Sequence, residues 1–163
     1  MKLHDLLIPT GIAKEEMKVR DVFRLCLDAG VPAVPFMDHQ GKLVGYAGLE
    51  SVMHKGCLPN YMVELATVLG NDLSCISNAE QKVQEVMSSP INLYVTKPIR
   101  AVSSDAPVIK ALAILEKFNS NFLFVFDGDV YRGVITAAGI AQKMIDIDRQ
   151  ADVDICHMPI VEK

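Results

Sequence analysis

Apolar positions between residues 19 and 27 recur at helical spacing. Val19, Val22, Phe23, Cys26 and Leu27 fall on one stripe, with Arg20, Asp21, Arg24 and Asp28 elsewhere, as a one-sided surface helix requires. The same pattern returns at Val108, Ala111, Leu112, Leu115 and Phe118, with Lys110 and Lys117 outside the stripe. Each stripe is followed by a short apolar run ending in aspartate, AVPFM before Asp38 and FLFVF before Asp127. Turn chemistry comes next, Asp38-His39-Gln40-Gly41 and Asp127-Gly128-Asp129, and predicts a hairpin in each place. Gly30 and Asn119 suit the two helix stops. Ser104 or Asp105, ahead of Pro107, suits the N-cap of the second helix, whereas Lys14-Glu15-Glu16 offers the first only favourable charge.

These parallels amount to a repeat. A shift of 89 positions lays residues 8–38 over residues 97–127. Identities are few, Pro9 with Pro98, Val19 with Val108 and Asp38 with Asp127, and the order of elements carries the match. The second turn is one residue shorter, so Gly45 then falls on Gly133 and GYAGLESVM on GVITAAGIA. Each unit reads strand, helix, strand, turn, strand, helix. The resulting divisions are a first repeat over residues 3–56, a helical linker over 57–89, a second repeat over 90–147 and a tail over 148–163. In the linker, Met62, Leu65, Ala66 and Leu69 form one helical stripe, and Val83, Val86 and Met87 another. Pro59 fits the start of the first of these helices and Gly70-Asn71-Asp72 its stop. Their apolar faces need a partner, and one of them is expected to dock on the two repeats and join a dimer interface.

Composition narrows the function. Half of the 163 residues are hydrophobic and 22% are charged, the balance of a compact soluble protein. The net charge is −4 and the 16 Lys and Arg residues are scattered, which argues against nucleic acid as the main partner. No apolar run reaches membrane length, and the first residues, MKLHDLLIPTG, lack a secretory pattern; a cytoplasmic protein is expected. Cys26, Cys57, Cys75 and Cys156 have no metal-ligand spacing, and Cys156-His157 has no second pair. His4, His39, His54 and His157 are dispersed, with no motif linking them to a nucleophile. Asp127-Gly128-Asp129 lacks the remaining oxygen ligands of a calcium loop. No enzyme and no metal site are expected.

The unit order, together with VPAVPFMDHQGKLVGYAG, FLFVFDGDVYRGVIT and PIRAVSSDAPVIKAL, resembles a tandem pair of cystathionine-β-synthase (CBS) domains, a Bateman module. The resemblance covers roughly residues 3–147. It implies an α/β (α+β) fold of two repeats, each a small three-stranded sheet with two helices, packed about a pseudo-twofold axis. It also implies two clefts suited to adenosine-containing ligands, and a homodimer. The family signature of Gly, two apolar residues, Thr or Ser, two variable residues and Asp points to Gly133, Val134 and Thr136, with Ile99, Arg100 and Ala101 facing the adenine. In the first repeat it points to Gly45, Tyr46 and Ser51. The chain departs from that signature at the ribose carboxylate: Gly139 and Ser51 stand where Asp is expected, and Gly48 stands where Thr is.

Pro32, Ala33, Asn121 and Phe122 occupy positions where the family often carries His or Arg for phosphate. Arg100, Arg132 and Lys143 are the cations that remain nearby in sequence. AMP, adenosine or an S-adenosyl compound is therefore favoured over ATP, with no cofactor required. Two readings of Thr136 stay open, a hydroxyl that caps the following helix and one that touches ligand. Tyr46 and Phe122 are the side chains large enough to fill the clefts. The resulting expectation is a stand-alone regulatory module acting on an unidentified protein in trans. The alternative is a dimerising interaction module without a ligand.

Overall fold

The computed structural model describes residues 2–57, 68 and 79–156. A 3-10 turn over Leu3–Leu6 leads to β1 (Ala13–Lys14), α1 (Val19–Ala29), β2 (Ala33–Met37), β3 (Leu43–Gly48) and α2 (Leu49–Val52), which runs on as a π-helical turn over Met53–Cys57. Then come α3 (Ala79–Ser88), a second 3-10 turn (Ile91–Tyr94), β4 (Ala101–Val102), α4 (Val108–Lys117), β5 (Phe122–Asp127), β6 (Val130–Thr136) and α5 (Ala137–Cys156). The helix expected over residues 61–69 lies outside the described residues, apart from Val68. The strands form two three-stranded sheets, β1-β2-β3 and β4-β5-β6. In each, the first pair is parallel and the second antiparallel, giving the mixed α/β architecture that the repeat predicts.

The helix stops repeat in detail. Gly30 has φ 66°, and the N–H of Val31 donates to the Cys26 carbonyl at 2.9 Å. Asn119 has φ 46°, and the N–H of Ser120 donates to the Leu115 carbonyl at 2.9 Å. Both are the six-to-one bond of a Schellman stop. The buried stripes are narrower than the apolar pattern: Val19, Val22 and Cys26 in α1 and Val108, Ala111 and Leu115 in α4 are buried, while Leu27, Leu112 and Phe118 remain exposed. A three-stranded sheet covers little more than one row of a helix. Burial pushes the Cys26 thiol up to about 12, so it stays protonated and unreactive at neutral pH.

The start of α4 differs from the expected side-chain cap. Pro107 holds the N-cap position. Ser104 turns instead to the hairpin aspartate, its hydroxyl donating to Asp127 Oδ1 at 2.6 Å and its N–H at 3.2 Å. Asp105 pairs with the Ser103 hydroxyl. Charge-assisted bonds to carboxylates orient both side chains away from the helix start. Arg132 Nε adds a third bond to Asp127, at 2.9 Å.

The Ser104 hydroxyl first, then its N–H and Arg132, hold the Asp127 carboxyl below its usual value of 3.8. The stabilisation is thus present above pH 3.8 and is lost as pH falls through the lowered folded value. Asp127→Asn should lower the melting temperature at pH 7 and make it depend less on pH below 4 than in the wild type, as read by circular dichroism across an acid series.

The described structure falls into two compact units, one from Pro9 to Arg100 and the other made of Met1–Ile8 with Ala101–Lys163; they are called the first and second unit below. Each unit borrows a segment from far away in the sequence. In the second, Leu3 and Leu6 sit in the core with Leu115, Leu123, Val125 and Ile135. Ile8 exchanges both backbone hydrogen bonds with Val134, at 2.8 and 2.9 Å. In the first, Ile91 is fully buried, and Thr96 exchanges the equivalent pair with Tyr46, at 2.8 and 3.0 Å.

The same pairing explains how Pro35 sits in the central strand. Tyr46 spends its N–H and C=O outward on Thr96, so the Pro35–Tyr46 pair lies between ladder bonds and the missing N–H costs β2–β3 pairing nothing. At the other end of the chain, α5 continues to Cys156, past residue 147 where the pattern ends the repeat. Gln142 Nε2 donates to Asp146 Oδ1 at 3.0 Å across one turn of it.

Candidate functional site

Strand alternation sorts the second unit's sheet into two faces. Val102, Leu123, Val125 and Ile135 join the core formed with α4 and α5. Ala101, Phe122, Phe124, Val134 and Thr136 therefore line the opposite face, with Ala101 opposite Phe124, Phe124 opposite Val134, and Phe122 opposite Thr136. Aromatic rings follow one another along it. Phe122 meets Phe124 edge-on at 5.4 Å between centroids, and Phe124 meets Tyr131 at 6.3 Å. Phe124 and Val134 are fully buried on this face, Phe122 and Tyr131 are half-buried and Ala101 is exposed; Thr136 is the hydroxyl at the end of the row.

Thr136 is the last residue of β6, and the next residue opens α5. Its Oγ1 accepts the N–H of Gly139 at 3.0 Å, the N-cap bond from the third helical residue. The residue is only 7% exposed. As a donor, the hydroxyl has no acceptor among the described residues. The first unit makes the equivalent helix start with the parts exchanged. Gly48 is the N-cap of α2, and Ser51, three residues on, supplies the hydroxyl, accepting from the Gly48 N–H at 3.2 Å and donating to the Gly48 carbonyl at 2.9 Å. Both copies keep one hydroxyl at the strand-to-helix junction, and Ser51 uses both of its hydrogen-bonding capacities there.

The candidate ligand residues separate by position. Ala101, Val134 and Thr136 come together on the sheet face opposite the helices of the second unit. Gly133 and Gly45 serve a steric purpose: a Cβ on Gly133 would lie 2.4 Å from the Ile8 carbonyl oxygen, and one on Gly45 would lie 2.6 Å from that of Thr96. Tyr46, Ser51, Ile99 and Arg100 belong to the first unit, with Ile99 and Arg100 half-buried immediately before Ala101. Arg132 is held by Asp127. Phe122, noted in the sequence as a bulky side chain and as a replacement for a phosphate-binding His or Arg, is the cross-strand neighbour of Thr136. The two-residue turn between Asp127 and Val130 sets that register and is the signal that finds it. Among the described residues no group of three or more His, Cys, Asp or Glu converges as metal ligands, and no helix is long and apolar enough to cross a membrane.

Residues 83–146 match the CBS domain family. The fold matches that of the CBS domain of a CBS domain-containing membrane protein from Sphaerobacter thermophilus, with a TM-score of 0.62 at 16% identity, covering 87% of this chain and 86% of that one. The chain has the fold of a CBS domain pair. The chain is also similar to CBSX2, solved in complex with AMP, with a TM-score of 0.57 at 16% identity over 90% of this chain and 98% of that one. Another similar structure is the CBS domain pair of protein MJ0100 in complex with 5′-methylthioadenosine and S-adenosyl-L-methionine, with a TM-score of 0.59 at 16% identity over 88% of this chain and 95% of that one. Among curated proteins, the chain is 24% identical over 143 residues to the A-adding tRNA nucleotidyltransferase of Aquifex aeolicus. That alignment takes in 87% of this chain but spans 14% of the length of the enzyme.

Proposed function

We propose that this CBS pair is a regulatory module that binds a small adenosine-containing molecule and passes its occupancy to a partner protein, working as a homodimer. The observation that carries the reading is the buried Thr136 hydroxyl, which has no acceptor for its proton among the described residues, on a sheet face with Phe122 and Ala101. Flat rings with polar edges suit such a surface. Similar folds solved with AMP, and with 5′-methylthioadenosine and S-adenosyl-L-methionine, support the ligand class. AMP, adenosine and S-adenosyl compounds are preferred to ATP, because Arg132 is committed to Asp127 and an unneutralised triphosphate is costly to desolvate. With Gly139 and Ser51 in place of ribose carboxylates, the affinity gives up about 1.5–3 kcal/mol of charge-assisted hydrogen bonding. No catalytic role is assigned.

A second reading has a specific observation in its favour. Both junction hydroxyls make helix caps, which is sufficient reason for their presence in a ligand-free interaction module. Thermal melting with AMP, ADP, ATP, adenosine, S-adenosylmethionine, NAD and cyclic dinucleotides separates the two. A compound at a hundred times its dissociation constant adds about 2.7 kcal/mol, and the adenosine and S-adenosyl members should raise the melting temperature by several degrees. No shift with any compound at millimolar concentration would leave the interaction module.

A further inference from the structure

We infer that the chain pairs with a second copy through the outer face of α4 and α5, so that the homodimer is made by the second units alone. The inference rests on the homodimer part of the reading above and adds which surface makes the contact; it does not depend on the ligand. Helical spacing decides which side chains form this face. Val108, Ala111 and Leu115 of α4 and Ile140 of α5 turn into the core of the second unit. Ile109 and Ala113 therefore lie on the far side of α4, and Ala138, Ala141 and Ile145 on the far side of α5; all five are exposed. Ile109 is 71% exposed and Ile145 48%. Leu112 and Met144, also exposed, border them. Apolar surface shared by two helices on one face of a sheet is what a subunit contact uses, and the alanines let a facing helix approach closely.

The first unit does not repeat this face. The register of the repeat places Arg20, Arg24 and Glu50 at the positions of Ile109, Ala113 and Ala138, and all three are exposed. Leu27 and Met53 are exposed there as well, but each stands among charged or polar neighbours, Arg24 and Asp28 for the one and Glu50 and His54 for the other, as scattered surface apolar residues do. Arg20 also ties α1 to α3 within the first unit, its Nε donating to the Met87 carbonyl at 3.2 Å and its Nη2 to the Ser88 hydroxyl at 2.6 Å. Charge selects the occupant of the second unit's face. The exposed charges on α4 and the following turns of α5 are of both signs, Lys110, Lys117 and Arg149 with Glu116 and Asp148. A copy of the same face can set anions against cations, whereas a strongly acidic or basic partner would leave some of them facing like charge. An isologous contact about a twofold axis covers both apolar patches at once and closes at two copies.

Sedimentation equilibrium of the full chain over a wide concentration range tests this, alongside Ile109→Asp, Ile145→Asp and Arg24→Glu. The wild type should sediment as a dimer. Ile109→Asp and Ile145→Asp should each weaken association by about tenfold or more, because each places an unpaired carboxylate in the contact. Arg24→Glu, on the equivalent face of the first unit, should leave association unchanged. Ile109 stands in the first turn of α4, where an aspartate favours the helix, so Ile109→Asp separates loss of pairing from loss of fold, and circular dichroism of each variant checks that it is folded. A wild type that is a monomer throughout would overturn this inference together with the homodimer part of the reading, and the nucleotide melting panel would then judge ligand binding by itself. A dimer that keeps its affinity in Ile109→Asp and Ile145→Asp, or that is lost in Arg24→Glu as well, would overturn the asymmetry alone and leave the homodimer standing.

Discussion

Gly133→Ala should lower the stability of the second unit by about 3 kcal/mol or more, measured by urea unfolding. Two penalties act together at this position. The backbone sits at φ 155°, and a Cβ would lie 2.4 Å from the Ile8 carbonyl oxygen and 2.6 Å from Leu7 Cδ2. The first contact is with backbone, which cannot move without losing the hydrogen bonds at 2.8 and 2.9 Å between Ile8 and Val134. Gly128→Ala is the matched control. It too has a positive φ, 61°, but nothing lies within 4 Å of its Cβ position, so it should cost only about 1 kcal/mol. Equal losses at the two positions would show that backbone conformation alone matters and that the Leu7–Ile8 segment does not press on β6.

The second large effect comes from the start of the chain. Leu3→Ala should destabilise the second unit by about 2–5 kcal/mol, although Leu3 precedes β4 by more than half the sequence. Leu3 is fully buried, in one cluster with Leu115, Leu123, Val125 and Ile135. Hydrogen exchange is the informative readout, because the substitution should speed exchange of the Val134 amide, whose acceptor is the Ile8 carbonyl at 2.9 Å. Ile91→Ala, at the equivalent buried position, should do the same to the Tyr46 amide in the first unit. A Leu3→Ala protein as stable as wild type would contradict the exchanged packing of the leading segments.

Much of this architecture was legible in the sequence, and the reasons are local. Helical stripes, the αL stops at Gly30 and Asn119 and the hairpin turns each depend on a few neighbouring residues, so pattern alone reveals them. The packing of residues 2–8 with the second repeat and of residues 90–96 with the first was not legible. It runs through backbone bonds such as Ile8 to Val134 and Tyr46 to Thr96, and KLHDLLI and PINLYVT share little beyond apolar Leu3 with Ile91 and Leu7 with Val95.

Gly45 and Gly133 illustrate a second limit. A signature assigns them to a ligand, whereas the closeness of a neighbouring carbonyl gives each a steric reason to be glycine. Ser51 was readable only as a substituted Asp, because its partner, the Gly48 backbone, leaves no trace in residue type. The cap expected at Ser104 failed for a similar reason: its acceptor, Asp127, stands far along the chain.

The central claim is that a buried hydroxyl at one strand-to-helix junction serves both as a helix cap and as a ligand donor. A crystal structure of the chain with whichever adenosine compound raises the melting temperature most tests it directly. The account predicts ligand density against the second unit, with an acceptor about 3 Å from Thr136 Oγ1, a ring on the Phe122 side of the sheet, and the Gly139 N–H still bonded to Thr136. A ligand that leaves Thr136 untouched would contradict it.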